Sequence, residues 1–206
     1  MQWIYDLSFP ALAKLVIPPP SLALVVAEDH SGGGHVGVPP ALAIPVPSIE
    51  ATTEGSWILV EDCEDAWDEY VQANVTSTAD DTDKKVGTYS AKMDVGVDAA
   101  VGRLATEAIA PALDLSPYRY LKAWVKSSVD LASDDMRIML DDSASCETPL
   151  KDLTIPAISS GTWTQVTIDM GDTSGLTAIV SIGAHMVVDK GAFIFRIDQV
   201  RATKGQ

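Results

Sequence analysis

Three histidines and two cysteines limit the chemistry open to this chain of 206 residues. His30 and His35 flank the tract Ser31-Gly32-Gly33-Gly34, and two imidazoles fall short of the ligand set that a zinc site takes. His185 is the only other histidine, so a Ser–His–Asp hydrolase would have to be built on it. No G-x-S-x-G elbow accompanies it. Cys63 and Cys146 lie in different segments and neither belongs to a C-x-x-C, so one disulfide and two free thiols are both open. The run Asp80-Asp81-Thr82-Asp83 lacks the glycine and the distal glutamate of an EF-hand loop and reads as a solvated turn. Carboxylates abound, so any pair of them is uninformative about glycoside or proton chemistry. The residues specify no reaction. The chain is expected to be a non-enzyme that works by binding or assembly, with no cofactor required.

Charge narrows the partners. With 29 acidic against 14 basic residues the net charge is −15. Phosphate backbones and anionic membranes are held by clustered Lys and Arg, so nucleic acid and membrane are not expected partners. The acidity keeps molecules soluble and apart.

Two regions must position whatever site there is. Residues 1–55 form an extended arm, and residues 56–206 form the folding domain. The arm holds eight of the twelve prolines, among them Pro18-Pro19-Pro20 and Pro39-Pro40, which favour extended or polyproline II backbone. It is nevertheless rich in Leu, Val and Ile, unlike a disordered linker. So much aliphatic surface calls for a partner. Runs such as Leu22-Ala23-Leu24-Val25-Val26 suit addition to a neighbouring sheet edge. Trp3, Ile4, Tyr5 and Phe9 are the expected anchor residues, joined by Leu22, Leu24 and Val26, because buried aromatics dominate interface energetics. The start of the chain lacks a basic region, and its prolines interrupt any apolar helix, so neither a signal peptide nor a membrane span is expected.

The domain has roughly 150 residues, enough to bury about 68–70% of its unfolded surface without a disulfide or metal. Short runs of period two fill it, separated by turn signals at Lys85-Val86-Gly87, Ser116-Pro117, Ser160-Gly161 and Lys190-Gly191. Leu121, Ala123 and Val125 alternate with Lys122, Trp124 and Lys126. Ile182, Ala184 and Met186 alternate with Gly183 and His185. About eight antiparallel strands are expected, as an all-β sandwich or jelly roll. Gly102 to Leu113 carries a possible helical turn ended by Pro111.

Several of these strands resemble a known family. Val60-Glu61-Asp62-Cys63-Glu64-Asp65 followed by Gly87-Thr88-Tyr89-Ser90-Ala91-Lys92 resembles the opening of carbohydrate-binding-module-like, galactose-binding-like jelly rolls. Leu115-Ser116-Pro117-Tyr118-Arg119-Tyr120-Leu121-Lys122-Ala123-Trp124-Val125-Lys126 looks like their central strand. Gly161-Thr162-Trp163-Thr164-Gln165-Val166 and Phe195-Arg196-Ile197-Asp198-Gln199-Val200-Arg201 are similar to their later strands. The likeness spans residues 57–203 and none of the arm.

This resemblance implies further expectations. Similar domains serve as binding modules of secreted glycosidases and as parts of bacteriophage virion proteins. Many hold a structural calcium ion, whose carboxylates would map to Glu64 and Asp198, with carbonyls near Gly87 adding oxygens. Glycan contact in such modules uses exposed aromatics and polar side chains, which makes Trp124 and His185 candidates if they share a concave face. Core packing is an alternative for Trp124, and Trp67, Tyr70 and Trp163 stand in the same position. The leading expectation is a bacteriophage virion structural protein, a capsid decoration subunit. Its arm would anchor it to other virion proteins, capsid or tail subunits, and to copies of itself. The other reading is a carbohydrate-binding module or tail/fibre adhesion protein recognising host surface glycans.

Overall fold

The computed structural model describes residues 56–205, an all-β sandwich of eleven strands in two antiparallel sheets. The strands are β1 (Trp57–Glu61), β2 (Tyr70–Val71), β3 (Val75–Asp80), β4 (Ser90–Val95), β5 (Gly102–Leu113) and β6 (Tyr120–Ser127). They continue with β7 (Met136–Asp141), β8 (Lys151–Thr154), β9 (Thr164–Asp169), β10 (Ile179–Met186) and β11 (Phe193–Thr203). One sheet runs β3-β4-β11-β6-β9, with β1 also paired to β11. The other runs β2-β5-β10-β7-β8. The anchor residues expected in the arm, Trp3, Ile4, Tyr5, Phe9, Leu22, Leu24 and Val26, lie outside the described residues.

The period-two pattern buries one face of each sheet against the other. Leu121, Ala123 and Val125 of β6, Phe195 and Ile197 of β11, and Ile182, Ala184 and Met186 of β10 fill the space between the layers. Trp67 is fully buried there as well, which settles it as core. Cys63 and Cys146 are both buried free thiols. Burial pushes the Cys146 thiol up to about 12 and the Cys63 thiol well above its usual range, which disfavours the thiolate at both.

β11 organises the six-stranded sheet. Its first half, Phe193–Ile197, pairs with β4, and its last residues, Val200–Thr203, pair with β1 along the same edge. The exchange happens at a bulge around Asp198 and Gln199, where Gln199 has φ +46°. The Lys85–Gly87 turn closes over that bulge, and the backbone N–H groups of Lys85 and Val86 donate to Asp198 Oδ2 at 2.7 and 2.8 Å.

Two expectations are corrected. Gly102–Leu113 is a strand, not a helical turn: β2 and β10 bond to it on either side, and that pairing outweighs the helix-forming Ala, Leu and Glu of the segment. Asp80 to Asp83 is a solvated turn only at Asp81 and Thr82. Asp80 is 9% exposed and binds Arg196, while Asp83 accepts bonds from Lys126 Nζ and Trp163 Nε1.

Candidate functional site

The outer face of the five-stranded sheet holds a cleft of about 370 Å³, within the size range of small-ligand sites. Its floor is a row across neighbouring strands. His185 of β10 lies directly opposite Arg103 of β5 on one side and Arg137 of β7 on the other. Gly183, two residues away on β10, is closely covered by side chains of both flanking strands. A Cβ there would stand 2.7 Å from Met139 Cε and 2.9 Å from Thr106 Cγ2, so a larger residue would displace the flanking strands' side chains. The segment Ala144–Pro149 forms one wall, held down where the Cys146 N–H donates to Ser181 Oγ at 3.2 Å.

The polar groups of the cleft are fixed by one another. Asp152 Oδ2 lies 2.9 Å from His185 Nδ1 and accepts from Arg137 Nη1 at 2.9 Å. Asp134 grips Arg137 bidentately, at 2.7 Å from Nε and 2.9 Å from Nη2. That ion pair, with a bond from Thr154, holds the Asp134 carboxyl well below the usual range. Arg103 donates to the Ser145 carbonyl and lays its guanidinium over the Tyr70 ring at 3.7 Å from the centroid. Two oxygens of cleft residues, Gln72 Oε1 and Asp152 Oδ1, are covered and have no hydrogen-bond partner in the protein. Covered acceptors are normally paired; these two lie beneath the cleft surface, closed to solvent.

His185 lies in a cleft, and Trp124 does not share it. Trp124 lies on β6 of the other sheet, with its ring on the outer face beneath Lys85 Nζ, 4.4 Å from the centroid. The shared concave face expected for Trp124 and His185 is therefore corrected. Tyr70, Arg103, Asp152 and Gln72 were not singled out as a group by sequence reasoning. Tyr70 belongs to a strand of only two residues and Asp152 to one of four, too short to show a period.

Glu64 and Asp198, the pair assigned to calcium by resemblance, do come together at the Lys85–Gly87 turn. Glu64 accepts from the Thr88 N–H at 2.9 Å, and Gly87 passes so close that a Cβ would stand 1.7 Å from Glu64 Oε1. Asp198 is fully buried and its Oδ1 has no partner. Burial pushes its carboxyl up, the Val86 and Lys85 N–H groups pull it down, and the charge of Glu64 raises it further. A covered carboxylate oxygen without a donor, beside a second carboxylate, fits an oxygen-seeking cation. Among the described residues there is no group of three or more His, Cys, Asp or Glu side chains placed to hold a metal, so the remaining ligands would be carbonyls and water.

No protein-family model matches the chain, and no curated protein matches it. Its neighbours among solved structures are carbohydrate-binding modules with a jelly-roll fold. The solution structure of CtCBM11 shares 18% identity over 76% of this chain and 99% of its own, with a TM-score of 0.49. The family 30 module of the Clostridium thermocellum cellulosomal cellulase shares 12% over 73% and 99%, also at 0.49. The CBM22-1 xylan-binding domain from Paenibacillus barcinonensis Xyn10C shares 10% over 76% and 100%, at 0.46. The chain spans 29% of the length of the CBM22-1–GH10 modules of Clostridium thermocellum xylanase 10B.

Proposed function

We propose that residues 56–206 are a non-catalytic carbohydrate-binding domain whose ligand lies in the cleft on the outer face of the five-stranded sheet. The observation that carries this reading is the cleft's inventory. It sets the Tyr70 ring and the flat Arg103 guanidinium beside the polar side chains of Gln72, Asp152 and His185 on an open sheet face. A saccharide supplies hydroxyl donors together with an apolar ring face, which is what such a surface can use. Affinity electrophoresis against xylan and mixed-linkage glucan tests the reading. The protein is expected to be retarded by at least one of them. Tyr70→Ala with Gln72→Ala should weaken binding roughly tenfold or more, the loss of about 1.4 kcal/mol or more, while Trp124→Ala leaves it unchanged. Absence of retardation in every gel, or retardation indifferent to the cleft variant, counts against it.

Calcium belongs to the same proposal as a structural ion: Asp198 Oδ1 and the Glu64 carboxylate would hold it at the bulge of β11. A second reading rests on the composition of residues 1–55 alone. Their aliphatic and aromatic content favours a chain held in a larger assembly, such as the surface of a bacteriophage particle, by burial of the arm against neighbouring subunits.

A further inference from the structure

The outer face of the other sheet, the six-stranded one, carries three like-charged cross-strand pairs; Lys92 of β4, opposite Arg196, is answered by Asp94 at 2.9 Å, and the other two are treated differently. In the first, Arg196 of β11 lies directly opposite Lys126 of β6. Like charges so placed destabilise a sheet. Here they are answered: Asp80 accepts from Arg196 at 2.9 Å, and Asp83 accepts from Lys126 at 2.8 Å and lies 3.6 Å from Arg196. In the second pair, beyond the bulge on the same two strands, Arg201 lies directly opposite Lys122. Among the described residues neither has a carboxylate within ion-pair distance, although the chain's net charge is −15. Arg201 donates to Gln199 Oε1 and stands 5.0 Å from the Trp57 ring centroid. Trp57 is 49% exposed. Two residues along β6 from Lys122, Trp124 carries Lys85 over its ring.

We propose that this face is a second binding surface, for an anionic saccharide. A uronate or sulfate group would sit between Arg201 and Lys122, one strand spacing of ~4.8 Å apart, with a sugar ring against Trp57 or Trp124. The anion would supply the charge that Asp80 and Asp83 supply to the first pair. Two competing occupants suit the surface less well. A nucleic acid carries a dense charge that a molecule of net −15 repels as a whole. A second copy brings the same repulsion. A uronate polysaccharide carries at most one charge per sugar, sparser than a nucleic acid, and acidic polysaccharides of either kind offer apolar ring faces to the indoles.

The test uses the full chain in affinity gels of polygalacturonate and of dextran sulfate, which separate carboxylate from sulfate recognition, with neutral xylan alongside. Retardation by one of the anionic polymers at low salt is expected, weakening as salt rises. Lys122→Gln with Arg201→Gln should weaken it at least tenfold while leaving the thermal melt unchanged or raised, since a like-charge pair is removed. Tyr70→Ala with Gln72→Ala, which addresses the opposite cleft, should leave the anionic binding intact, so the two proposals fail separately. The proposal is overturned by no retardation in either anionic gel, or by retardation that survives the double substitution. Equal or tighter binding of a DNA oligonucleotide, or a change of oligomeric state in the double variant, would also overturn it.

Discussion

Glu61 is the residue whose surroundings make the clearest statement about pH. Burial pushes its carboxyl from the ordinary 4.5 up to about 7, against the pull of the Cys63 N–H and with the charges of Asp62, Glu107 and Asp65 adding to the rise. A carboxyl raised in the fold favours the fold while it is protonated. That contribution is fully present below about 4.5 and is lost as pH rises to about 7. Glu107 and Asp198 are shifted the same way, chiefly by burial. Asp80 acts in the opposite sense. Its own burial would raise it, but Thr82 and Arg196 outweigh that and hold it low, so it withdraws stability only as pH falls through the acid range. The melting temperature is therefore expected to fall between pH 5 and pH 8. Glu61→Gln, which keeps an oxygen for the Cys63 N–H, should remove on the order of 2 kcal/mol of that difference. Circular dichroism melts across the pH series check it, and an unchanged slope in the variant would sink the assignment.

At the scale of elements, the junction of β1, β4 and β11 carries the calcium proposal. Two carboxylates converge where β11 changes partners, and an ion there would bind the folded state only. At a hundredfold excess over its dissociation constant an ion adds about 2.7 kcal/mol, or roughly 5–10 °C for a domain of this size. Melts in millimolar calcium and in EDTA should differ by that order, and Asp198→Asn should abolish the difference. Coincident melts for the native chain would rule the ion out. The same strands show what could be read from the sequence. β6, β9, β10 and β11 were legible because each buries one face, so Leu121, Ala123 and Val125 or Ile182 and Ala184 alternate cleanly. β3 was not: it lies at a sheet edge with polar Thr76, Ser77 and Thr78, and leaves no apolar period. The Ala, Leu and Glu of β5 favour a helical turn locally, and only pairing with strands distant in sequence overrides that. His185 could be flagged by residue type, but its partners arrive from β2, β5, β7 and β8, and only pairing register brings them together. Placing Trp124 and His185 on one face failed for the same reason: alternation says which side of a strand a residue occupies, not which sheet the strand joins.

For the molecule as a whole, the sandwich and the arm make separable claims. The domain buries its own core, from Val60 to Ala202, among described residues alone. Deleting residues 1–55 is therefore expected to leave a cooperative melt within a few degrees of the full chain's, measured by calorimetry. If the arm anchors the chain, the truncated form should no longer co-sediment with the assembly that the full chain joins. Equal co-sedimentation of both forms would remove the anchoring role.

The position of β11 also has a consequence in time. The strand that joins β1, β4 and β6 is the last one of the domain to be synthesised. The five-stranded sheet has all its strands once Met186 has been made, yet the six-stranded sheet lacks its hub until Thr203. β1, β3 and β4 must wait, unpaired or paired only with each other, for more than half the chain to follow them. A nascent chain of this sequence cannot close its sandwich early. Its window of exposure to proteases and to wrong neighbours is set by how fast residues 96–203 appear, not by how fast the first strands form.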